Sequence, residues 1–177
     1  IVLIDGDISM HKDFLLDHLK FSKPGCCVQG VRAKLSPQKA LEILKNKQHI
    51  FKTFEVGIKN KRNSVRQSLL SYLFSGTRRF NKLNMIQTCN MAFFKNYCLR
   101  VNGFNEDFIG WGREDSDFAA KLLHSGVKRR DLKFKGIGYH IHHEGNSREM
   151  LQRNHQIYLD TLKNKLVWSA NGINKYI

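Results

Sequence analysis

The chain has 177 residues, enough for one domain with a buried core, and no apolar run approaches the roughly 20 residues of a membrane-spanning helix. It carries 30 Lys and Arg against 15 Asp and Glu, a net charge of +15 spread over residues 45–66, 78–82 and 128–135 rather than confined to a tail. That excess calls for an anionic partner, and the lack of a zinc finger, an RNP-type aromatic motif or a basic zipper ranks nucleic acid below an anionic membrane surface.

In chain order, residues 1–4 (Ile-Val-Leu-Ile) read as a buried strand that runs into Asp5-Gly6-Asp7 as a turn. A domain seldom begins on a core strand leading straight into a polar turn, so the chain is expected to be the C-terminal part of a longer protein. Residues 11–20 predict a helix with Phe14, Leu15 and Leu19 on one face. Residues 26–33 (CCVQGVRA) predict one strand. Ser36 then caps a helix with Pro37 in its first turn and Ala40, Leu41, Ile43 and Leu44 inside. Residues 46–63 are polar and basic without a clear period, and residues 65–74 predict an amphipathic helix ended near Gly76.

Residues 84–94 (NMIQTCNMAFF) suit a strand leading towards a site, followed by a short helix over 95–101. A helix over 114–125 carries Phe118, Ala119, Leu122 and Leu123 at helical spacing and is capped by Gly126. A strand over 133–139 and a long amphipathic helix over 148–163 complete the series. Strands alternating with helices indicate an α/β fold, in which ligands sit beyond the carboxyl ends of the strands. Cys26, Cys27, Cys89 and Cys98 match no zinc spacing and read as free core thiols.

Three clusters carry chemistry. Asp5 and Asp7, one residue apart after an apolar strand, can direct oxygens to one hard cation and a diphosphate it bridges, although Asp-Gly is also ordinary turn chemistry. Residues 103–117 (GFNEDFIGWGREDSD) place five carboxylates and an indole among three glycines. Trp111 offers a flat face on which a sugar stacks. Glu114 and Asp115 open a helix, where the dipole favours carboxylates, and an acid there could take the proton of an attacking hydroxyl. In Tyr139-His140-Ile141-His142-His143-Glu144, strand alternation would turn His140 and His142 to one face and His143 to the other. Neutral imidazoles suit Mn²⁺ or Zn²⁺.

Together these residues resemble a glycosyltransferase of the GT-A fold and family 2 type. They are most like the galactosyltransferase-like C-terminal region of bacterial lipopolysaccharide or capsule transferases and animal β-1,4-galactosyltransferases. IVLIDGD resembles the strand that bears the DxD motif. TCNMAFFKNYCLRVNGFNEDFIGWGREDSDFAAKLLHSG resembles the acceptor-side block, and YHIHHEGNSREMLQRN the metal-histidine segment. The resemblance implies the C-terminal part of a GT-A domain, a mixed sheet flanked by helices, spanning residues 1–177. It implies that Asp5 and Asp7 hold Mn²⁺ (or Mg²⁺) and the donor diphosphate, Asp7 more directly, with His143 as third ligand and His140 as runner-up.

On the WGxED motif, the resemblance implies that Trp111 and Gly112 meet the sugars, Glu114 binds acceptor hydroxyls and Asp115 is the base; Asn90 and Arg113 join the substrate-binding set. Arg113 stands where the animal enzymes have glycine, which leaves acceptor identity open. The implied reaction is inverting transfer of a hexose or N-acetylhexosamine, galactosyl-type, from a nucleotide-diphosphate sugar (a UDP-sugar) to a glycan or lipid-linked glycan in cell-surface polysaccharide or lipopolysaccharide synthesis. The implied location is cytoplasmic, peripheral at the inner face of the membrane. The alternative is a non-catalytic basic module that binds an acidic polymer.

Overall fold

A computed structural model describes residues 1–76, 82–83 and 85–177. Its strands are β1 (Val2–Ile4), β2 (Ile8–Met10), β3 (Cys26–Gln29), β4 (Val31–Lys34), β5 (Asn90–Ala92), β6 (Lys128–Asp131) and β7 (Ile137–His140). Its helices are α1 (Phe14–Phe21), α2 (Pro37–Asn46), α3 (Ser68–Phe74), α4 (Lys95–Arg100), α5 (Glu114–His124) and α6 (Leu151–Lys163). The α/β class is as expected, but the strands form two mixed sheets instead of one. The larger has the order β1-β5-β3-β6, with β3 and β6 parallel and the other pairs antiparallel. The smaller has the order β2-β7-β4, with β2 antiparallel and β4 parallel to β7.

The chain crosses between sheets at two short connections that frame the site. Asp5-Gly6-Asp7 joins β1 to β2, and Gly30 joins β3 to β4. Residues 26–33 are therefore two strands in two sheets, where a single strand was expected. Gly30 makes the break possible: a side chain there would collide with that of Asn90, whose backbone carbonyl accepts the Gly30 N–H at 2.9 Å.

One buried cluster joins Cys27, Met91 and Phe93 of the larger sheet to Tyr97 and Val101 around α4 and to Phe118 and Leu122 of α5. A second joins Val31, Ala33, Ile137 and Tyr139 of the smaller sheet to Ile43 of α2 and to Phe51, which stacks on Tyr139 at 4.1 Å. Each large apolar side chain fully buried contributes roughly 1.5–3 kcal/mol, so these clusters fix the sheets that carry the site.

Two helices bury faces other than the apolar ones expected. On α1, Leu15 and Leu19 are 60% and 73% exposed, while Phe14, Asp17 and His18 face inward. Asp17 accepts two hydrogen bonds from the Arg66 guanidinium (2.8 and 3.0 Å) and one from Gly136 N–H (3.1 Å), and His18 pairs with Asn90 at 2.8 Å. Satisfied polar groups can thus occupy an interior face. On α2, Ser36 accepts the Lys39 N–H as the expected cap, and Ala40 and Ile43 are buried, but Leu41 and Leu44 are exposed.

Within 84–94 the strand is confined to β5, and residue 84 and the basic pair 78–79 lie outside the described residues. Strand β6, Lys-Arg-Arg-Asp, was not expected; Arg129 is buried in it by pairing with Asp131 at 2.8 Å. Among the described residues no helix is long and apolar enough to cross a membrane.

Candidate active site

The antiparallel register of β2 and β7 pairs Ile8 with His140, and Ile141 N–H donates to the Asp7 carbonyl at 2.9 Å. The Asp5-Gly6-Asp7 turn is thereby laid against the end of β7. Strand β7 stops at His140, so the alternation expected through His143 ends there. The chain turns, and His143 comes back onto the same carboxylate as His140, while His142 is exposed and outside the group. His140 Nε2 and His143 Nε2 lie 3.0 and 2.8 Å from Asp7 Oδ2.

The chemistry of this group fits a divalent cation. The Nδ1–H of His143 donates to the Glu144 carbonyl at 2.6 Å, which orients the ring with its Nε2 towards Asp7. Burial holds the His140 imidazole below its ordinary range against the pull of Asp7, with Arg32, His143 and Lys34 adding to the lowering. Among the described residues, Asp7 Oδ1 is buried without a hydrogen-bond donor. One ligand atom from each of Asp7, His140 and His143 falls within 4.8 Å of the others, and one carboxylate with two imidazoles suits a divalent first-row metal ion. Asp5, expected beside Asp7 as a ligand, lies outside this trio. It remains close enough to matter: desolvation, then the charges of Asp115 and Asp7, raise its carboxyl, opposed by Arg32 and His143.

The other half of the site is the entry to α5. Gly110 (φ 68°), Gly112 (φ 114°) and Arg113 (φ 75°) all adopt left-handed backbone. The glycines are needed, because a Cβ on Gly112 would stand 2.6 Å from Leu151 Cδ1 of α6. This turn leaves Trp111 42% exposed, with the Arg148 guanidinium 5.8 Å from its ring, and stacks Arg113 on Tyr158 at 5.5 Å. Glu114 Oε2 accepts the Gly112 N–H at 2.8 Å. Burial raises the Glu114 carboxyl, with Asp115 and Asp5 adding to it. Asp115 accepts two hydrogen bonds from Thr88, one from its hydroxyl and one from its N–H.

The remaining acids of the loop serve structure. Glu106 pairs with Lys175 at 2.6 Å, Asp107 accepts from Asn171 at 3.0 Å, and Asp117 accepts from Lys121 and Thr161, both at 2.6 Å. Asn90, expected to bind substrate, is 1% exposed. Its amide is spent on the carbonyls of Val31 and Gly136 and on His18, so it ties both sheets to α1 instead of meeting a ligand.

Sequence reasoning passed over Thr88 and Arg32, and it read Cys89, which lies beside Arg32, as a free core thiol. Arg32 lies between buried Val31 and Ala33, so β4 alternation alone would turn it away from the core face. Its charge offsets Asp5, and its Nη1 lies 3.8 Å from Cys89 Sγ. Burial pushes the Cys89 thiol up to about 11, which keeps it protonated and unreactive.

Residues 73–144 match the family model for the N-terminal domain of galactosyltransferase. The matched span, less than half the chain, runs from α3 through both acids of the α5 entry to His140 and His143, and leaves out the Asp5-Gly6-Asp7 turn. No curated protein matches the chain. The match supports a galactosyltransferase-like glycosyltransferase domain, with a nucleotide-sugar donor and an acceptor as the general substrates.

Proposed function

We propose that this chain carries the metal- and acceptor-binding part of an inverting glycosyltransferase of the GT-A type. It moves a hexose or N-acetylhexosamine, galactosyl-type, from a UDP-sugar to a hydroxyl of a glycan. Asp115 takes the proton of the acceptor hydroxyl as that oxygen attacks the anomeric carbon; the bond from that carbon to the diphosphate oxygen breaks, and configuration inverts. Glu114 holds a neighbouring acceptor hydroxyl, and Trp111 gives the sugar an apolar face. Asp7, His140 and His143 would hold Mn²⁺ (or Mg²⁺), with Asp5 alongside. The chemistry such a cation supplies when bound is neutralisation of charge on the departing diphosphate. A net charge of +15 draws the chain to anionic surfaces, where a lipid-linked acceptor would sit.

The observation that carries this reading is the Asp7 carboxylate, with one oxygen facing two imidazoles and the other buried without a donor, electrostatically joined through Asp5 to Asp115. The test is transfer from a panel of UDP- and GDP-sugars to glycan acceptors, with and without Mn²⁺. Mn²⁺-dependent transfer supports it. Binding to acidic polymers that falls steeply with salt, with no transfer and no response to Mn²⁺, would instead establish the basic-module alternative.

A further inference from the structure

Asp115 is gripped at both oxygens by a single residue. The Thr88 hydroxyl donates to Oδ1, and the Thr88 N–H donates to Oδ2 at 3.2 Å. Thr88 is itself 8% exposed and lies two residues before β5 on a braced backbone. The carboxamide of buried Gln29, at the end of β3, donates to the carbonyls of Gln87 (3.0 Å) and Asn90 (3.1 Å) and accepts the Gln87 N–H (3.0 Å). Side-chain amide and backbone amide thus pair as two strands would, and the segment bearing Thr88 is pinned to the larger sheet on either side of it. The charge of Asp115 meanwhile acts on Asp5, Glu114 and Cys89.

We infer that Thr88 is a positioning residue: its hydroxyl fixes the plane of the Asp115 carboxylate so that the lone pairs left over are aimed at the acceptor hydroxyl. This rests on the reading of Asp115 as the base. A carboxylate held by one N–H alone can swing about its terminal torsion, whereas a two-point grip from a braced backbone leaves one orientation. A base misplaced by about 1 Å can cost on the order of 10²-fold in rate.

Steady-state transfer by the wild type, Thr88→Val, Thr88→Ser, Asp115→Asn and Thr88→Val/Asp115→Asn, beside thermal unfolding of each, tests the inference. Thr88→Val is isosteric and should lower kcat by about 10²-fold while the donor KM stays within about twofold. Thr88→Ser, which restores the hydroxyl, should recover most of the loss. In the Asp115→Asn background, Thr88→Val should change kcat by less than about twofold, because the two act as a unit. Near-wild-type kcat in Thr88→Val beside an active wild type, with only the unfolding temperature lowered, would make Thr88 a strut and overturn this inference alone; so would Thr88→Ser as poor as Thr88→Val. A wild type that transfers no sugar overturns the functional reading, and this inference with it.

Discussion

Asp117 and Asp7 are both acids drawn into the protein, and they are held in opposite ways. Asp117, in the first turns of α5, is 1% exposed and fully served: Lys121 reaches one oxygen, the Thr161 hydroxyl the other, and Ser169 completes the ammonium's partners. Asp7 has one buried oxygen with no donor among the described residues and another faced by two imidazoles. A buried polar group left unpaired costs roughly 1–3 kcal/mol, so the first arrangement is finished as folded and the second is the one that the proposed cation would complete. The contrast separates an acid that holds the fold from one with an oxygen still open, and Asp117 shares the first turn of α5 with Glu114 and Asp115, the acids placed in the proposed reaction.

The sharpest way to break the comparison is to remove Asp117. Asp117→Ala strands the Lys121 ammonium in the interior and should cost about 3–5 kcal/mol in urea unfolding, the usual penalty for breaking a buried pair. An unchanged midpoint would show that Asp117 is not structural. Asp115→Asn should do the reverse, keeping the unfolding midpoint while lowering transfer on the order of 10²–10⁴-fold, the worth of a general base. Wild-type turnover in that variant would remove Asp115 from the reaction. Gly112→Ala adds a methyl at φ 114° against Leu151 and should cost about 1–3 kcal/mol of strain, while weakening acceptor binding by displacing Trp111. Unaltered acceptor KM would mean that the Trp111 turn does not shape the acceptor site.

The smallest effect expected is on pH dependence. Protons compete with a cation for the imidazoles, and burial holds His140 below its ordinary value. Mn²⁺ affinity should therefore fall as the pH drops through the lowered His140 value. Affinity that stays flat down to the onset of acid unfolding would exclude the histidines as ligands.

Much of this was legible from local patterns. Ser36 before Pro37 announced its helix, acids followed by Phe118, Ala119 and Leu122 announced α5, and the Asp-Gly-Asp turn after an apolar strand marked one edge of the site. What escaped was set by distant parts of the chain. The break at Gly30 depends on Asn90, 60 residues away, and buried Asp17 is intelligible only once Arg66 lies against it. Strand periodicity set His143 on the face opposite His140, whereas the family resemblance named both as ligands; they meet because β7 ends where β2 stops pairing with it. Thr88 carried no signal of its own, since a lone threonine just before a strand becomes meaningful only when α5 brings Asp115 to it.

The central claim is that Asp7, His140 and His143 form a cation site serving a nucleotide sugar. Calorimetric titration of Mn²⁺, with and without UDP, into the wild type and Asp7→Ala tests it most directly. The account predicts wild-type binding of one Mn²⁺ that tightens when UDP is present, and loss of both responses in an Asp7→Ala protein that still unfolds at the wild-type midpoint. Equal Mn²⁺ affinity in the two proteins, or UDP binding indifferent to both Mn²⁺ and Asp7, would contradict it.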